Sequence, residues 1–149
     1  MPSQFHLKPL LDLSRNRMDD AASELGKLIS REQEGADKLK MLKDYRAEYE
    51  ARFMETAAQG IGVEALRNFN AFITRIDEAI EAQQQIVKRS QNATARGQQT
   101  WMHQRNRLKA FDTLHERHLA EQQRAELKQE QGLADEHAAI RFRRQHFDD

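Results

Sequence analysis

The chain has 149 residues, of which 38% are hydrophobic and 32% are charged, and its 24 basic and 24 acidic side chains leave no net charge. Because Gln, Glu, Ala, Arg and Lys dominate, the composition is typical of long solvated helices with a thin core, and the charge balance argues against a nucleic-acid-binding face. The absence of cysteine excludes disulfides and zinc–thiolate sites, and since no apolar run approaches the roughly 20 residues of a membrane span, we expect a soluble, cytoplasmic protein.

The first predicted helix covers about residues 10–57. Apolar side chains recur three and four residues apart, which is the spacing of a coiled-coil seam. We expect the helix to begin near Pro9, because proline is tolerated in a first helical turn and disfavoured further inside. The seam positions of this arm are Leu11, Met18, Ala21, Leu25, Leu28, Glu32, Gly35, Leu39, Leu42, Arg46, Tyr49 and Phe53.

A turn is predicted over about residues 58–63, because Gly60 and Gly62 interrupt two otherwise continuous helical patterns. A second helix is then predicted over about residues 64–117. Between Ser90 and Gly97 its seam is small and polar, which either weakens the pairing or fixes its register. The seam positions are Leu66, Phe69, Ile73, Ile76, Ile80, Gln83, Val87, Ser90, Thr94, Gly97, Trp101, Gln104, Leu108, Phe111, His115 and His118.

We therefore predict a single all-α domain over residues 1–149, a long antiparallel coiled-coil hairpin of two helices. With the turn at residues 60 and 61, the numbers of facing residues add up to about 121 or 122. Leu108 then faces Ser14, and Phe111 faces Leu10 or Leu11. Since the first arm ends there, we expect residues 118–149 to form an overhanging helix that is interrupted at Gly132 and frays into a mobile tail.

Near the turn the apolar stripe is wider than a two-stranded seam requires. The facing rule brings aromatic and apolar residues of both arms into one patch. Exposed patches of this kind mark contact sites, and the alternative is that the extra rings only cover the seam. The predicted facing pairs are Tyr49 with Phe72, Tyr45 with Ile76, Leu42 with Ala79, and Lys38 with Gln83.

We find no sequence support for catalysis. The chain has no glycine-rich phosphate loop and no nucleophile elbow, and a helical hairpin offers no concave pocket. His115 and His118 could share a helix face, but zinc needs further ligands, so polar seam layers are the simpler interpretation. The basic and aromatic residues 141–147 could touch a membrane or a nucleic acid, although a solvated tail is the default. We expect no enzymatic activity, no cofactor and no metal.

Several segments resemble the flagellar FliJ family. Residues 40–49 (KMLKDYRAEY) carry the most specific similarity, because a Gly60-Ile61 turn follows them. The similarity extends over about residues 10–120. The other matching residues are Asp19-Asp20-Ala21-Ala22, Asn68-Phe69, Phe72-Ile73, Ala79-Ile80-Glu81, Trp101 and Leu108.

The resemblance implies a component of the flagellar type III export apparatus, with a hairpin similar to the central stalk of rotary ATPases. Family members bind the hexameric export ATPase and promote its assembly, contact the export-gate membrane protein FlhA, and help to recycle export chaperones. It also implies peripheral association with the inner membrane at the flagellar base. The family's export-gate contact falls here on Lys38, Leu42, Tyr45, Tyr49, Phe72, Ile76, Ala79 and Gln83.

Three departures from the family pattern affect this patch. A family member has Gln in place of Lys38, Leu in place of Ile76 and His in place of Gln83. The edges of the patch therefore match the family less closely than its aromatic centre does.

Other functions remain compatible with the residue pattern. The chain could be a generic coiled-coil adaptor or chaperone of another secretion system, or an amphipathic lipid-binding helix protein. It could also self-assemble, with arms from two chains pairing instead of one chain folding back.

Overall fold

A computed structural model describes residues 2–147, and the side chains of residues 7–147. Helix α1 spans Pro2–Ala58 and helix α2 spans Val63–Phe147, and the described residues contain no strand. The two helices pack against each other, which confirms the predicted all-α hairpin. Within the described part of the chain, no helix is long and apolar enough to cross a membrane.

Helix α1 ends in a tightened last turn. The N–H of Gln59 donates to the carbonyl oxygen of Thr56 at 3.2 Å, and the N–H of Gly60 donates to that of Ala57 at 3.1 Å. These bonds satisfy carbonyl groups that have no partner further along the helix. Gly60 then adopts a φ of 94°, a left-handed conformation that glycine reaches without a Cβ clash. The chain reverses direction at this residue.

Helix α2 begins directly after Gly62. The carbonyl oxygen of Gly62 accepts a hydrogen bond from the N–H of Leu66 at 3.2 Å, so Gly62 is the N-cap of α2. Glu64 lies in the first turn, where a negative charge is favourable beside the unpaired N–H groups.

One compact unit of the chain comprises Met18–His103. Within it, every predicted seam position of α1 from Met18 onward is buried or half-buried, and so is every predicted seam position of α2 from Phe69 onward. Leu66 is the exception, since it is 44% exposed. Its prediction as a seam residue is wrong because it lies in the first turn of α2, where α1 is ending and few side chains can cover it.

The same unit holds buried polar contacts between the helices. Gln83 is 5% exposed, and its Nε2 donates to the backbone carbonyl oxygen of Gly35 at 3.0 Å. Further along, a Cβ added to Gly97 would lie 2.6 Å from Cδ1 of Leu28. Glycine therefore permits the close approach of the two helices at this position. The polar stretch of the predicted seam is thus tightly packed at Gly97.

The second compact unit comprises Met1–Arg17 and Gln104–Asp149. In it Leu11 and Ser14 are both 6% exposed, whereas Leu10 is 41% exposed. The sequence allowed either Leu10 or Leu11 to face Phe111. Because Leu11 is buried and Leu10 is exposed, Leu11 is the seam residue. The predicted seam positions that α2 contributes to this unit are half-buried. They are Gln104, Leu108, Phe111, His115 and His118.

The two histidines of this unit have enclosed nitrogen atoms. Nδ1 of His115 and Nε2 of His118 are buried without a hydrogen-bond partner. The described side chains contain no group of three or more metal-ligating residues. Both imidazoles lie on the seam, and no metal-binding role follows from their positions.

The ends of the helices differ from the sequence prediction. Helix α1 begins at Pro2 and keeps Pro9 in its interior, although a proline there removes one backbone hydrogen bond and crowds a carbonyl group of the preceding turn. Helix α2 continues through Gly132 to Phe147, because one glycine costs only about 1 kcal/mol relative to alanine. Every described side chain after Gln122 is exposed.

We expect Gly60→Ala to lower the free energy of unfolding by about 1 kcal/mol or more, because a Cβ at a positive φ is strained. Gly26→Ala is the matched control, since Gly26 lies inside α1, has no positive φ, and an added Cβ there would meet nothing within 4 Å. Urea unfolding followed by circular dichroism measures both. Equal midpoints for the two variants would contradict the role assigned to Gly60.

Candidate partner-binding patch

Five aromatic side chains interdigitate near the turn, within the Met18–His103 unit, and we call them the aromatic ladder. In order they are Tyr45, Phe72, Tyr49, Phe69 and Phe53, so that successive rings come from opposite helices. The ring centroids are 6.1 Å apart for the first pair, then 4.3 Å, 5.6 Å and 3.7 Å. The predicted pairing of Tyr49 with Phe72 is confirmed.

Helical spacing explains how the ladder forms. Tyr45, Tyr49 and Phe53 follow one another at intervals of four, and Phe69 and Phe72 lie three apart, so each set occupies one face of its helix. Tyr45 meets Phe72 edge-on at 71°, and the other rings are tilted or stacked. Aromatic pairs contribute about 0.5–1.5 kcal/mol each beyond the area they bury.

The eight residues predicted for the patch divide into three groups by exposure. Lys38, Tyr45 and Ala79 are exposed, with Tyr45 at 49%. Leu42, Tyr49 and Phe72 are half-buried. Ile76 is 7% exposed and Gln83 is 5% exposed. The first two groups can present atoms to another molecule.

Ile76 and Gln83 expose very little surface to another molecule. Both point into the space between the helices, and the amide of Gln83 is already used by the carbonyl oxygen of Gly35. The facing rule and the family resemblance assigned them to the patch, although both also occupy predicted seam positions. Their role in the structure is to hold the two helices in the register that aligns the exposed residues.

An ion pair between the helices adjoins the patch, and sequence reasoning missed it. The guanidinium of Arg46 donates two hydrogen bonds to the carboxylate of Asp77 and one to Glu50. The hydrogen bond and the charge of Asp77 raise the pKa of Arg46 above its ordinary value. The facing rule could have found the pair, since Arg46 and Asp77 obey it closely.

Sequence reasoning also missed Met41, which extends the patch along α1. Met41 is 61% exposed and lies with Tyr45 in a shallow groove whose other walls are charged. The signal was present, because the two residues are four apart on one helix face. The charged residues of this groove are Asp37, Lys40, Asp44 and Glu48.

Comparison with known proteins gives concordant matches. The family model described as Flagellar FliJ protein matches residues 3–146. The Flagellar FliJ protein of Salmonella typhi is 31% identical over 132 residues, which cover 89% of this chain and 90% of that protein. The Escherichia coli (strain K12) protein of the same name is 30% identical over the same coverage. The Flagellar FliJ protein of Bacillus subtilis (strain 168) is 24% identical over 117 residues, which cover 78% of this chain and 80% of that protein.

Because the rings of the aromatic ladder have different numbers of ring neighbours, we expect their removal to lower the free energy of unfolding by different amounts. Phe69 packs against both Tyr49 and Phe53, so we expect Phe69→Ala to lower the free energy of unfolding by about 2–3 kcal/mol. Tyr45→Ala removes a half-exposed ring with one ring neighbour, and should cost less than about 1 kcal/mol. Urea titration measures both variants. A larger loss for Tyr45→Ala would mean that its ring belongs to the core.

Proposed function

Because this chain belongs to the flagellar FliJ family, we propose that it acts in flagellar protein export by binding partners, and not as an enzyme. Its proposed partners are the hexameric export ATPase, the export-gate protein FlhA and the export chaperones. It promotes assembly of the ATPase and assists chaperone recycling. Its proposed location is the cytoplasmic face of the inner membrane at the flagellar base, where it associates peripherally.

The aromatic ladder is the observation that carries the gate contact. Tyr45 exposes about half of its surface while its ring rests on Phe72. Interfaces obtain much of their binding energy from a few aromatic anchors. A ring that is already held by its neighbours loses little conformational entropy on binding. The exposed edge of the ladder thus has the properties of a preformed anchor.

The surroundings of Tyr45 support the same proposal. Ala79 is exposed on α2, and its small side chain lets a partner approach the backbone there. Met41 extends the apolar surface on α1 and offers a side chain that adapts to the shape of a partner. Lys38 is exposed and supplies a positive charge at the edge of this apolar surface. Together these exposed residues form a small apolar centre with a polar rim, which is the usual anatomy of an interface.

For the ATPase contact we propose the end of the hairpin that holds the chain termini. In the unit of Met1–Arg17 and Gln104–Asp149, α2 continues past Gln122 with every described side chain exposed. A helix of this kind has no partner within the described chain for its apolar residues. Those residues include Leu127, Leu133 and Ile140, which are 64%, 53% and 48% exposed.

Replacing two rings tests the gate contact. We expect Tyr45→Ala with Phe72→Ala to raise the Kd for the purified cytoplasmic linker of FlhA by about tenfold or more, because a central aromatic anchor is lost. Helicity by circular dichroism should stay near the original value. Calorimetry measures the binding. A parallel loss of helicity would instead place the rings in the core.

Two further variants separate binding from folding. Ala79→Glu places a charge on the exposed border without removing any packed ring, and should weaken the same binding. Leu13→Ala with Ile29→Ala removes two other exposed apolar side chains, 46% and 51% exposed, and should leave it unchanged. Unchanged binding by Ala79→Glu and by the ring variant would refute the gate proposal.

Shortening the chain tests the ATPase contact. Ending it after Gln122 removes a stretch whose described side chains are all exposed, so the remaining hairpin should keep its fold. We expect co-purification with the export ATPase hexamer to fall at least severalfold while FlhA binding persists. Equal recovery of the hexamer with the full and shortened chains would show that this stretch takes no part.

A further inference from the structure

The overall charge balance conceals a long basic stretch in α2. Residues 82–111 contain no Asp or Glu, although the whole chain has 24 of them. The same thirty residues carry six positive charges, on Lys88, Arg89, Arg96, Arg105, Arg107 and Lys109. A solvated helix face would normally mix both signs, as the rest of this chain does. Carboxylates that pair with the middle of this stretch must therefore come from α1 or from another molecule.

Three arginines of the Met18–His103 unit converge on one groove, which we call the arginine groove. Arg31 comes from α1, and Arg89 and Arg96 come from α2. The groove is open and has a volume of about 340 Å³. Among the described residues, none that lines the groove is acidic. Its position coincides with the small, polar stretch of the seam, where Gly97 lets the helices approach closely.

The three guanidinium groups have no carboxylate within 4.0 Å among the described side chains. Among the described side chains, Arg31, Arg89 and Arg96 form no ion pair, whereas Arg46 and Arg52 each contact a glutamate on their own helix. Like charges around one groove repel each other, and an anion placed between them relieves that repulsion. The planar fork of arginine binds a carboxylate through two parallel hydrogen bonds.

The floor of the groove, between the arginines, is apolar apart from Ser90. Leu28 and Ala93 contribute to it, and Ile86 remains 47% exposed. Ile86, Arg89, Ala93 and Arg96 are spaced by three, four and three residues, so they line one face of α2. A simple polyanion would leave the side chain of Ile86 uncovered, because it has no apolar surface to pack against it. A helix with one apolar face and carboxylates beside it complements both the floor and the rim.

We propose that the arginine groove binds an acidic amphipathic helix of a partner protein. The apolar face of that helix covers Ile86, and its carboxylates pair with Arg89, Arg96 and Arg31. The groove uses none of the residues of the aromatic ladder. This binding is therefore a second contact, and it stands or falls independently of the proposed FlhA interaction.

A labelled synthetic helix of about 18 residues tests the proposal, with leucines along one face and glutamates flanking them. The full chain should bind it in fluorescence anisotropy, and binding should weaken as salt is raised. Arg89→Gln with Arg96→Gln should raise the Kd by about tenfold or more. Ile86→Ser should also weaken binding, and so should replacing the peptide's glutamates by glutamines.

Arg141→Gln with Arg143→Gln is the matched control, because it removes the same charge from exposed arginines elsewhere on α2. The control should change the Kd less than about twofold. An equal loss in the control, or no binding of the glutamate peptide, overturns the proposal. It is also overturned if a single-stranded oligonucleotide competes for the groove and Ile86→Ser has no effect, since the site then recognises polyanions.

Discussion

The register between the two helices is the constraint on which the Met18–His103 unit depends. Gln83 fixes it most directly, because its buried amide donates to the carbonyl oxygen of Gly35. A slip of one residue would turn this side chain out of reach and leave a buried polar group unpaired, at a cost of about 1–3 kcal/mol. The same slip would separate Tyr49 from Phe72, so the ladder and the patch exist only in this register.

A hairpin of two helices has a thin core, and this determines where binding surfaces can lie. In the described part of the chain no second layer covers the outer edges of the two helices, so a ring such as Tyr45 packs on one side and meets solvent on the other. The same side chain then serves folding and recognition. Contact surfaces built in this way are rigid before a partner arrives, because the seam that stabilises the fold also holds their side chains.

Charge is arranged locally in this protein, although the total is zero. Arg46 joins the helices through Asp77, where the two signs meet across the seam. Further from the turn, Arg31, Arg89 and Arg96 share a groove that contains no acid. The net charge of the chain hides this difference, since acidic residues in other segments balance the positive charges of this one. The acid-free run of residues 82–111 was the signal that could have revealed it.

The sequence alone was sufficient for the two helices, the turn at Gly60 and the facing of Tyr49 with Phe72, because periodicity and a single short turn fix which residues meet. It could not decide how deeply a residue is covered. Leu66 follows the seam and yet is exposed, while Ile76 and Gln83 belong both to the predicted seam and to the predicted patch, and only the structure shows that they are buried. Exposure depends on how far the opposite side chains reach, which only the packed helices define. The convergence of the three arginines required the tertiary structure for the same reason, since one comes from α1 and two come from α2.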